Sequence, residues 1–106
     1  MNQTILVVED DVQIRKFICY CLENNNYQHI TASNGQDALR KIFYENIDLI
    51  LLDLGLPDMD GVDIIQRLRE FSEIPIIVVS ARDKDKDKAD ALELGADDYL
   101  TKPFSA

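Results

Sequence analysis

Short apolar runs rich in β-branched residues alternate along the chain with segments in which apolar residues recur every three or four positions. The short runs are typical of buried strands and the longer spacing is typical of amphipathic helices. The predicted strands cover residues 4–8, 27–32, 49–54, 76–79 and 98–100, the second being weaker and suited to a sheet edge. This βαβαβαβαβ order predicts an α/β fold, with a parallel sheet covered by helices on both faces.

The predicted helices are defined by apolar stripes. The stripes comprise Ile14, Phe17, Ile18, Cys21 and Leu22 in the first helix, Ala38, Leu39, Ile42 and Phe43 in the second, and Val62, Ile64, Ile65 and Leu68 in the third. The charged run at 82–88 predicts a solvated loop that leads into a fourth helix ending at Gly95. Cys19 and Cys21 are expected to be reduced thiols, with Cys21 packed inside.

The third strand is the most informative segment. Residues 49–54 are apolar except for Asp53, which predicts a strand buried on both faces with a carboxylate at its carboxyl end. Gly55, Pro57 and Gly61 favour an irregular loop after it. Because ligands of open α/β sheets bind beyond the carboxyl ends of the strands, Asp53 is the first candidate for chemistry.

Polar residues also end the other central strands. The set at this edge comprises Glu9, Asp10, Asp53, Ser80 and Lys102. Carboxylates brought this close repel one another, and a divalent cation would relieve the repulsion. Oxygen donors without histidine or cysteine favour Mg²⁺ over zinc. An aspartate beside Mg²⁺, a lysine and a hydroxyl is suited to accept a phosphoryl group, which makes phosphoryl transfer the predicted chemistry.

Composition limits the remaining function classes. With 106 residues the chain predicts one domain, and its net charge of −9 argues against nucleic-acid binding by this segment. No apolar run reaches the length of a signal peptide or a membrane span, so we expect a cytoplasmic protein without membrane contact.

Four motifs, VVEDD, LLDLGLPDMDG, VVSAR and ADDYLTKPF, occur in the order and spacing of the receiver domain of two-component response regulators, which nearly the whole chain resembles. The motifs are most similar to those of OmpR/PhoB-type regulators, and among these to the potassium-transport regulators. The resemblance implies a flavodoxin-like, doubly wound, parallel five-stranded sheet of order 2-1-3-4-5. It also implies that residues 1–106 form a receiver domain truncated before its last helix, so the fifth helix is expected to be missing.

The resemblance assigns a role to each motif residue. Asp53 would be the phosphoacceptor, and Lys102, before a Lys102–Pro103 bond suited to the cis form, would pair with phosphoryl oxygens. Ser80 would be the switch hydroxyl and Tyr99 the aromatic that rotates inward with it. The Mg²⁺ ligands would be Glu9, Asp10, Asp53 and the carbonyl of Gly55. Glu9 departs from the commoner aspartate, and its longer side chain is expected to change metal affinity or the lifetime of the acyl phosphate.

The implied function is a switch phosphorylated by a sensor histidine kinase. The intact parent protein would form a homodimer through the face of helix four, strand five and helix five, and would contact DNA only through a C-terminal domain absent here. Simpler structural readings stay open: Asp10 or Asp11 as a helix N-cap, Ser80 as a small strand-end residue, Tyr99 as packing and Lys102 on the surface. Asp58 and Asp60 are read as turn and cap residues. The two alternative functions are a phosphohydrolase, which would need a general acid where Gly55 stands, and an interaction module that needs no phosphorylation.

Overall fold

Strands and helices alternate through the part of the chain that the computed structural model describes, residues 3–103. The strands are β1 (Thr4–Val8), β2 (Gln28–Ala32), β3 (Leu49–Leu52), β4 (Ile76–Ser80) and β5 (Asp98–Thr101). The helices are α1 (Val12–Asn24), α2 (Gly35–Tyr44), α3 (Gly61–Arg69) and α4 (Asp85–Leu94). All pairings are parallel and the sheet order is β2-β1-β3-β4-β5, which confirms the predicted fold and the edge position of β2.

The two faces of the sheet are covered differently within residues 3–103. One face carries the larger core, in which residues of α2, α3 and α4 pack on the central strands. Its fully buried side chains include Leu6, Ile50, Leu52, Ile64, Ile65 and Leu68. The other face packs Ile5 and Val7 against Ile18 of α1. Because both faces of β1 and β3 are covered, the central strands are apolar throughout, as a parallel sheet requires.

Side chains predicted as caps begin the helices. Asp11 accepts from the backbone N–H groups of Gln13 and Ile14, and Asp60 caps α3 through Val62 N–H. Asp58 accepts from the N–H groups of Gly35 and Gln36 at 2.7 and 2.9 Å, so it fastens the loop after β3 to the start of α2. These contacts satisfy amide donors that have no partner inside a helix, and they confirm the structural roles predicted for Asp58 and Asp60.

Gly95 ends α4 with a φ of 127°, a conformation that side chains with a Cβ disfavour, and this confirms the predicted C-cap. Within residues 3–103 the last element is β5, so the prediction about a fifth helix stays a prediction, and Phe104 of the last motif lies outside the described residues. No helix in this range combines the length and the apolar character needed to span a membrane.

Three details of the helical predictions are wrong. Phe17 is 44% exposed and Phe43 72% exposed, although each was assigned to an apolar stripe. In α1 the buried line runs through Ile14, Ile18 and Leu22, four residues apart, and this rotation packs Cys19 rather than Cys21 against the sheet. Phe43, near the end of α2, instead contacts the ring of Phe71 with centroids 5.7 Å apart.

Two boundaries also differ from the predictions. The strand predicted to reach residue 54 ends at Leu52, because the loop needed to present Asp53 begins there. Only the first part of the charged run at 82–88 lies in a loop, since α4 begins at Asp85. The first turn of α4 carries two aspartates, and negative charge there interacts favourably with the helix dipole.

Candidate functional site

The site is built where β1 and β3 end side by side. Val8 and Leu52 are partners in the ladder, so the next residues, Glu9 and Asp53, leave the sheet together. The ladder extends one step further, since Asp53 N–H donates to Val8 O at 3.0 Å. Glu9 is only 2% exposed and Asp53 7% exposed. The sheet therefore holds two carboxylates in a nearly dry position at its carboxyl edge.

Lys102 brings a positive charge to these carboxylates from the end of β5. Its backbone N–H donates to Ser80 O at 2.9 Å, which anchors the residue beside β4. The Nζ atom donates to Glu9 Oε1 at 2.6 Å and to Asp53 Oδ2 at 3.3 Å. The Lys102–Pro103 peptide bond is cis, as predicted. The surface position considered for Lys102 is therefore wrong, because its side chain is 14% exposed and paired with both acids.

Burial controls the electrostatics of this cluster. Desolvation raises the pKa of Glu9 from 4.5 to about 7, and the nearby charge of Asp53 adds to that rise, while the Lys102 hydrogen bond opposes it. Burial disfavours the charged form of Lys102, but the hydrogen bond to Glu9 and the charge of Asp53 outweigh it and raise the pKa of the amine. Lys102 is thus held as a cation, whereas Glu9 titrates near neutral pH.

Asp10 completes an acidic group at the mouth of the site. Carboxylate oxygens of Glu9, Asp10 and Asp53 lie within 4.8 Å of one another, and Asp10, unlike the other two, is exposed. The helix N-cap is Asp11, so the cap considered for Asp10 is not the one formed. Asp11 N–H also donates to Glu9 Oε2 at 3.1 Å, which orients the buried carboxylate.

This geometry has counterparts in proteins of known family. The family model described as "Response regulator receiver domain" matches residues 5–106. The chain belongs to the response regulator receiver domain family. The chain is 48% identical over 106 residues to the alkaline phosphatase synthesis transcriptional regulatory protein PhoP of Bacillus subtilis, and 47% identical over 100 residues to the KDP operon transcriptional regulatory protein KdpE of Escherichia coli. These matches confirm the predicted resemblance to OmpR/PhoB-type regulators.

The aligned regions cover a much larger share of this chain than of the two relatives. They include 99% and 94% of this chain but 44% of PhoP and of KdpE, so the receiver domain spans less than half the length of these relatives. Solved receiver structures are similar over almost the whole chain. The Francisella response regulator 1452 receiver domain has a TM-score of 0.93 at 39% identity, covering 98% of this chain and 87% of that one. A two-component response regulator from Clostridium difficile has a TM-score of 0.95 at 31% identity, with coverages of 98% and 86%.

The donor set of the receiver domain fits Mg²⁺. All three grouped side chains are carboxylates, and oxygen-only donors are those that Mg²⁺ prefers. The exposed Asp10 leaves room for the water ligands that Mg²⁺ tends to keep. Gly55 N–H donates to Asp53 Oδ1 at 3.3 Å, so this glycine adjoins the site, and the ligand role of its carbonyl stays a prediction.

The two predicted switch residues lie on neighbouring strands of the receiver domain. Ser80, at the end of β4, is 1% exposed, and Tyr99 lies in β5 and packs against the larger core. The Tyr99 hydroxyl donates to Arg82 O at 2.6 Å, and Ser80 Oγ accepts from Arg82 N–H at 3.2 Å. Burial raises the pKa of Tyr99, so its hydroxyl stays a donor at neutral pH. Both switch residues therefore contact the backbone of one loop residue, Arg82.

Sequence reasoning missed two arginines at this edge. Arg15 of α1 donates to Glu9 O at 2.8 Å and so fixes the backbone of the acidic loop. The charged pattern predicts Arg82 as part of a solvated run, but it is only partly exposed and pairs with Asp60, which is incompatible with a fully solvated loop. Asp60 is distant from Arg82 in sequence, and the charged residues that follow Arg82 make it resemble a member of a solvated run. The match of SAR to the family motif was the only available indication.

Proposed function

We propose that this receiver domain is a phosphorylation-activated switch that accepts a phosphoryl group from a sensor histidine kinase onto Asp53. The observation that supports this most strongly is the Lys102 ammonium group, which contacts both buried carboxylates at the edge of the sheet. Such a cation lies where the phosphoryl oxygens of a group attached to Asp53 would need neutralisation.

In the proposed reaction a carboxylate oxygen of Asp53 attacks the phosphorus of a phosphohistidine in line with the leaving imidazole. The new bond is O–P and the broken bond is P–N, whose electron pair returns to the imidazole nitrogen. Lys102 would turn its donors from the carboxylates toward the phosphoryl oxygens. Because the carboxylate and the ammonium group are already positioned, most of the catalysis would come from placement and electrostatics.

Glu9, Asp10 and Asp53, with the carbonyl of Gly55, are the groups proposed to hold Mg²⁺. A bound Mg²⁺ would offset the negative charge that accumulates between the carboxylates and the incoming phosphoryl group. Asp11 and Arg15 would support this set by orienting the carboxylate and the backbone of Glu9.

The phosphorylated form would be read through Ser80 and Tyr99. A phosphoryl group on Asp53 gives Ser80 a new acceptor, and its movement would let Tyr99 turn inward and change the surface of α4 and β5. PhoP and KdpE are named transcriptional regulatory proteins, and we propose the same output for a longer parent protein. Homodimerisation through the face of α4, β5 and a fifth helix, DNA contact through a separate domain, and a cytoplasmic location are parts of this proposal.

Acetyl phosphate with Mg²⁺, followed by intact-mass analysis, tests the reaction directly. The protein should gain one phosphoryl group, the gain should require Mg²⁺, and Asp53→Asn should abolish it because no carboxylate nucleophile remains. Asp58→Asn is a matched control, since Asp58 lies in the same loop and an asparagine oxygen can still accept one of the two N–H groups that Asp58 binds at the start of α2.

The control should be phosphorylated at the rate of the unchanged protein. Absence of an adduct on the unchanged protein would favour the phosphorylation-independent interaction module. An adduct that persists in Asp53→Asn would assign the phosphoacceptor to a different residue and overturn the proposal.

A further inference from the structure

We propose that Met59 is a positioning residue of the metal site, which fixes the loop that carries Gly55 by packing on the first turn of α2. The inference rests on the proposed function, because it concerns the carbonyl that would bind Mg²⁺ beside Asp53. We call the space over Gly35 that the Met59 side chain fills the α2 slot.

The α2 slot exists because residue 35 is a glycine. A Cβ at this position would lie 2.6 Å from Met59 Sδ, still nearer to Met59 Cγ, and 3.2 Å from Ile64 Cδ1. Among the described glycines only Gly95 has a positive φ, so the backbone conformation does not require glycine at position 35. Gly35 therefore provides space, and the side chain that occupies this space is Met59.

Met59 belongs to the loop at 53–60, which joins β3 to α3. It is half-buried and packs against the larger core, so apolar contact holds the loop to α2. The neighbouring Asp58 accepts from the N–H groups of Gly35 and Gln36, but Asp58 is exposed, and water competes for these hydrogen bonds. The packed side chain of Met59 is thus the contact that limits where this part of the loop can lie.

Gly55 depends on the rest of the loop for its position. It is exposed, and apart from its chain neighbours no heavy atom of the described residues lies within 4 Å of where its Cβ would stand. Its N–H donates to Asp53 Oδ1 at 3.3 Å, and its backbone pairs with that of Asp60 in an isolated antiparallel bridge. Asp60 directly follows Met59 and caps α3 through Val62 N–H, so the α2 slot and α3 hold the bridge partner of Gly55 from both sides.

A carbonyl ligand binds Mg²⁺ best when its loop is in place before the ion arrives. A loop that the ion has to order loses part of the binding free energy to that ordering. Loss of the Met59 contact should therefore weaken Mg²⁺ binding. The carboxylates of Glu9 and Asp53 should keep their positions, because they follow paired residues of β1 and β3. The expected signature is a defect confined to the Gly55 carbonyl and the ion.

A single carbonyl signal can report this defect. Gly55–Leu56 is the only Gly-Leu pair in the sequence. Glycine carrying ¹³C at its carbonyl, combined with leucine carrying ¹⁵N, therefore gives one carbonyl-filtered amide cross-peak. In the unchanged protein this cross-peak should shift on titration with Mg²⁺ alone, and the titration gives the Kd. In Met59→Ala the Kd should rise about ten-fold, the lower end of the range for residues that orient metal ligands.

Ile74→Ala is the matched control. Ile74 is likewise half-buried against the larger core, but it precedes β4 at the opposite edge of the sheet. Both substitutions should lower the free energy of unfolding, because each removes packed side-chain atoms. Only Met59→Ala should change the Kd for Mg²⁺ and the Gly55 signal. A Kd raised equally in the two variants would assign the effect to general loosening and overturn the role of Met59.

Gly35→Ala tests the α2 slot from the side of the helix. The added methyl group should displace Met59 and raise the Kd for Mg²⁺ by a similar factor, although alanine is the better helix former. In the Met59→Ala background the slot is empty, so the same change at position 35 should have no further effect on the Kd. Factors that multiply in the double variant, or single variants that bind Mg²⁺ as tightly as the unchanged protein, would contradict the inference.

The unchanged protein separates this inference from the proposed function. If its Gly55–Leu56 cross-peak does not respond to Mg²⁺ and acetyl phosphate does not modify it, the proposed function itself fails. If acetyl phosphate modifies it in the presence of Mg²⁺ while the cross-peak stays in place, the switch stands. Gly55 would then leave the ligand set, and Met59 would lose its proposed role.

Discussion

Two ionic contacts join loops at the same edge of the sheet, and they differ in burial. Lys102 contacts Glu9 with side chains that are 14% and 2% exposed, whereas Arg82 contacts Asp60 with side chains that are 36% and 39% exposed. In the buried contact each group changes the pKa of its partner, since Lys102 opposes the rise that burial imposes on the pKa of Glu9, and Glu9 raises the pKa of Lys102. The partly exposed contact remains close to water, so it can open and close at small expense in free energy.

The comparison separates two duties within the receiver domain. The buried cluster is suited to hold reacting groups in fixed positions, because few alternative partners exist for a desolvated charge. The Arg82–Asp60 pair is suited to a contact that breaks and re-forms, since a contact of small net free energy can be outweighed by one new hydrogen bond. Changing members of each contact should therefore give effects of different size and different pH dependence.

The largest effect is expected from Lys102→Met. Removing the ammonium group leaves Glu9 beside Asp53 without a cation, and the free energy of unfolding should fall by about 3–5 kcal/mol at pH 8. At pH 5 the loss should be smaller, because Glu9 takes up a proton and the repulsion disappears. Urea denaturation followed by circular dichroism at both pH values measures the two losses.

The matched control for this change is Lys86→Met, which removes a lysine from an exposed pair with Asp90 on α4. It should leave the denaturation midpoint unchanged. If Lys102→Met were no more destabilising than this control, the buried contact would have no greater influence than a surface pair.

The next effect concerns pH and Glu9. The folded protein binds a proton on Glu9 up to about pH 7, whereas the unfolded chain releases it near pH 4.5. Stability from this group is therefore complete below pH 4.5 and is lost as pH rises to about 7. The loss is at most about 3 kcal/mol, since one pKa unit corresponds to about 1.4 kcal/mol. Glu9→Gln should flatten the dependence of the unfolding free energy on pH between these limits.

Denaturation at several pH values between 4 and 8, without Mg²⁺, measures this slope. Glu73→Gln, which alters an exposed carboxylate distant from the site, should retain the slope of the unchanged protein. A slope that survives in Glu9→Gln would assign the titration to a different group.

The sequence was sufficient to predict that the residues of the buried cluster meet. Glu9, Asp53 and Lys102 each follow a strand, and the strands are recognisable by their apolar runs, so the parallel order brings the three residues to one edge. The same reasoning predicted the sheet, because a continuous apolar run has to be covered on both faces. Motif spacing then assigned chemistry to positions that topology had already brought together.

The contact between Arg82 and Asp60 was not predictable in the same way. Arg82 and Asp60 are 22 residues apart, and neither lies in an apolar pattern that determines where its side chain points. The pattern also did not predict how α1 is rotated about its axis, because the apolar stripe of α1 contains more residues than one sheet face can cover. Phe17 therefore remains exposed while Ile18 is buried. Contacts between loops depend on side-chain directions, which residue periodicity does not supply.

The smallest effect on stability is expected from Arg82→Met, which tests the exposed side of the comparison. Loss of a partly exposed ion pair should lower the free energy of unfolding by about 0.2–1 kcal/mol. Asp60→Ser should have a similar effect, and the double variant should lose no more than the larger single change, because one contact is removed in each case. Urea denaturation of the three variants measures these losses. A loss above about 3 kcal/mol in Arg82→Met would show that the Arg82–Asp60 pair behaves like the buried cluster. The distinction between the buried contact and the partly exposed contact would then fail.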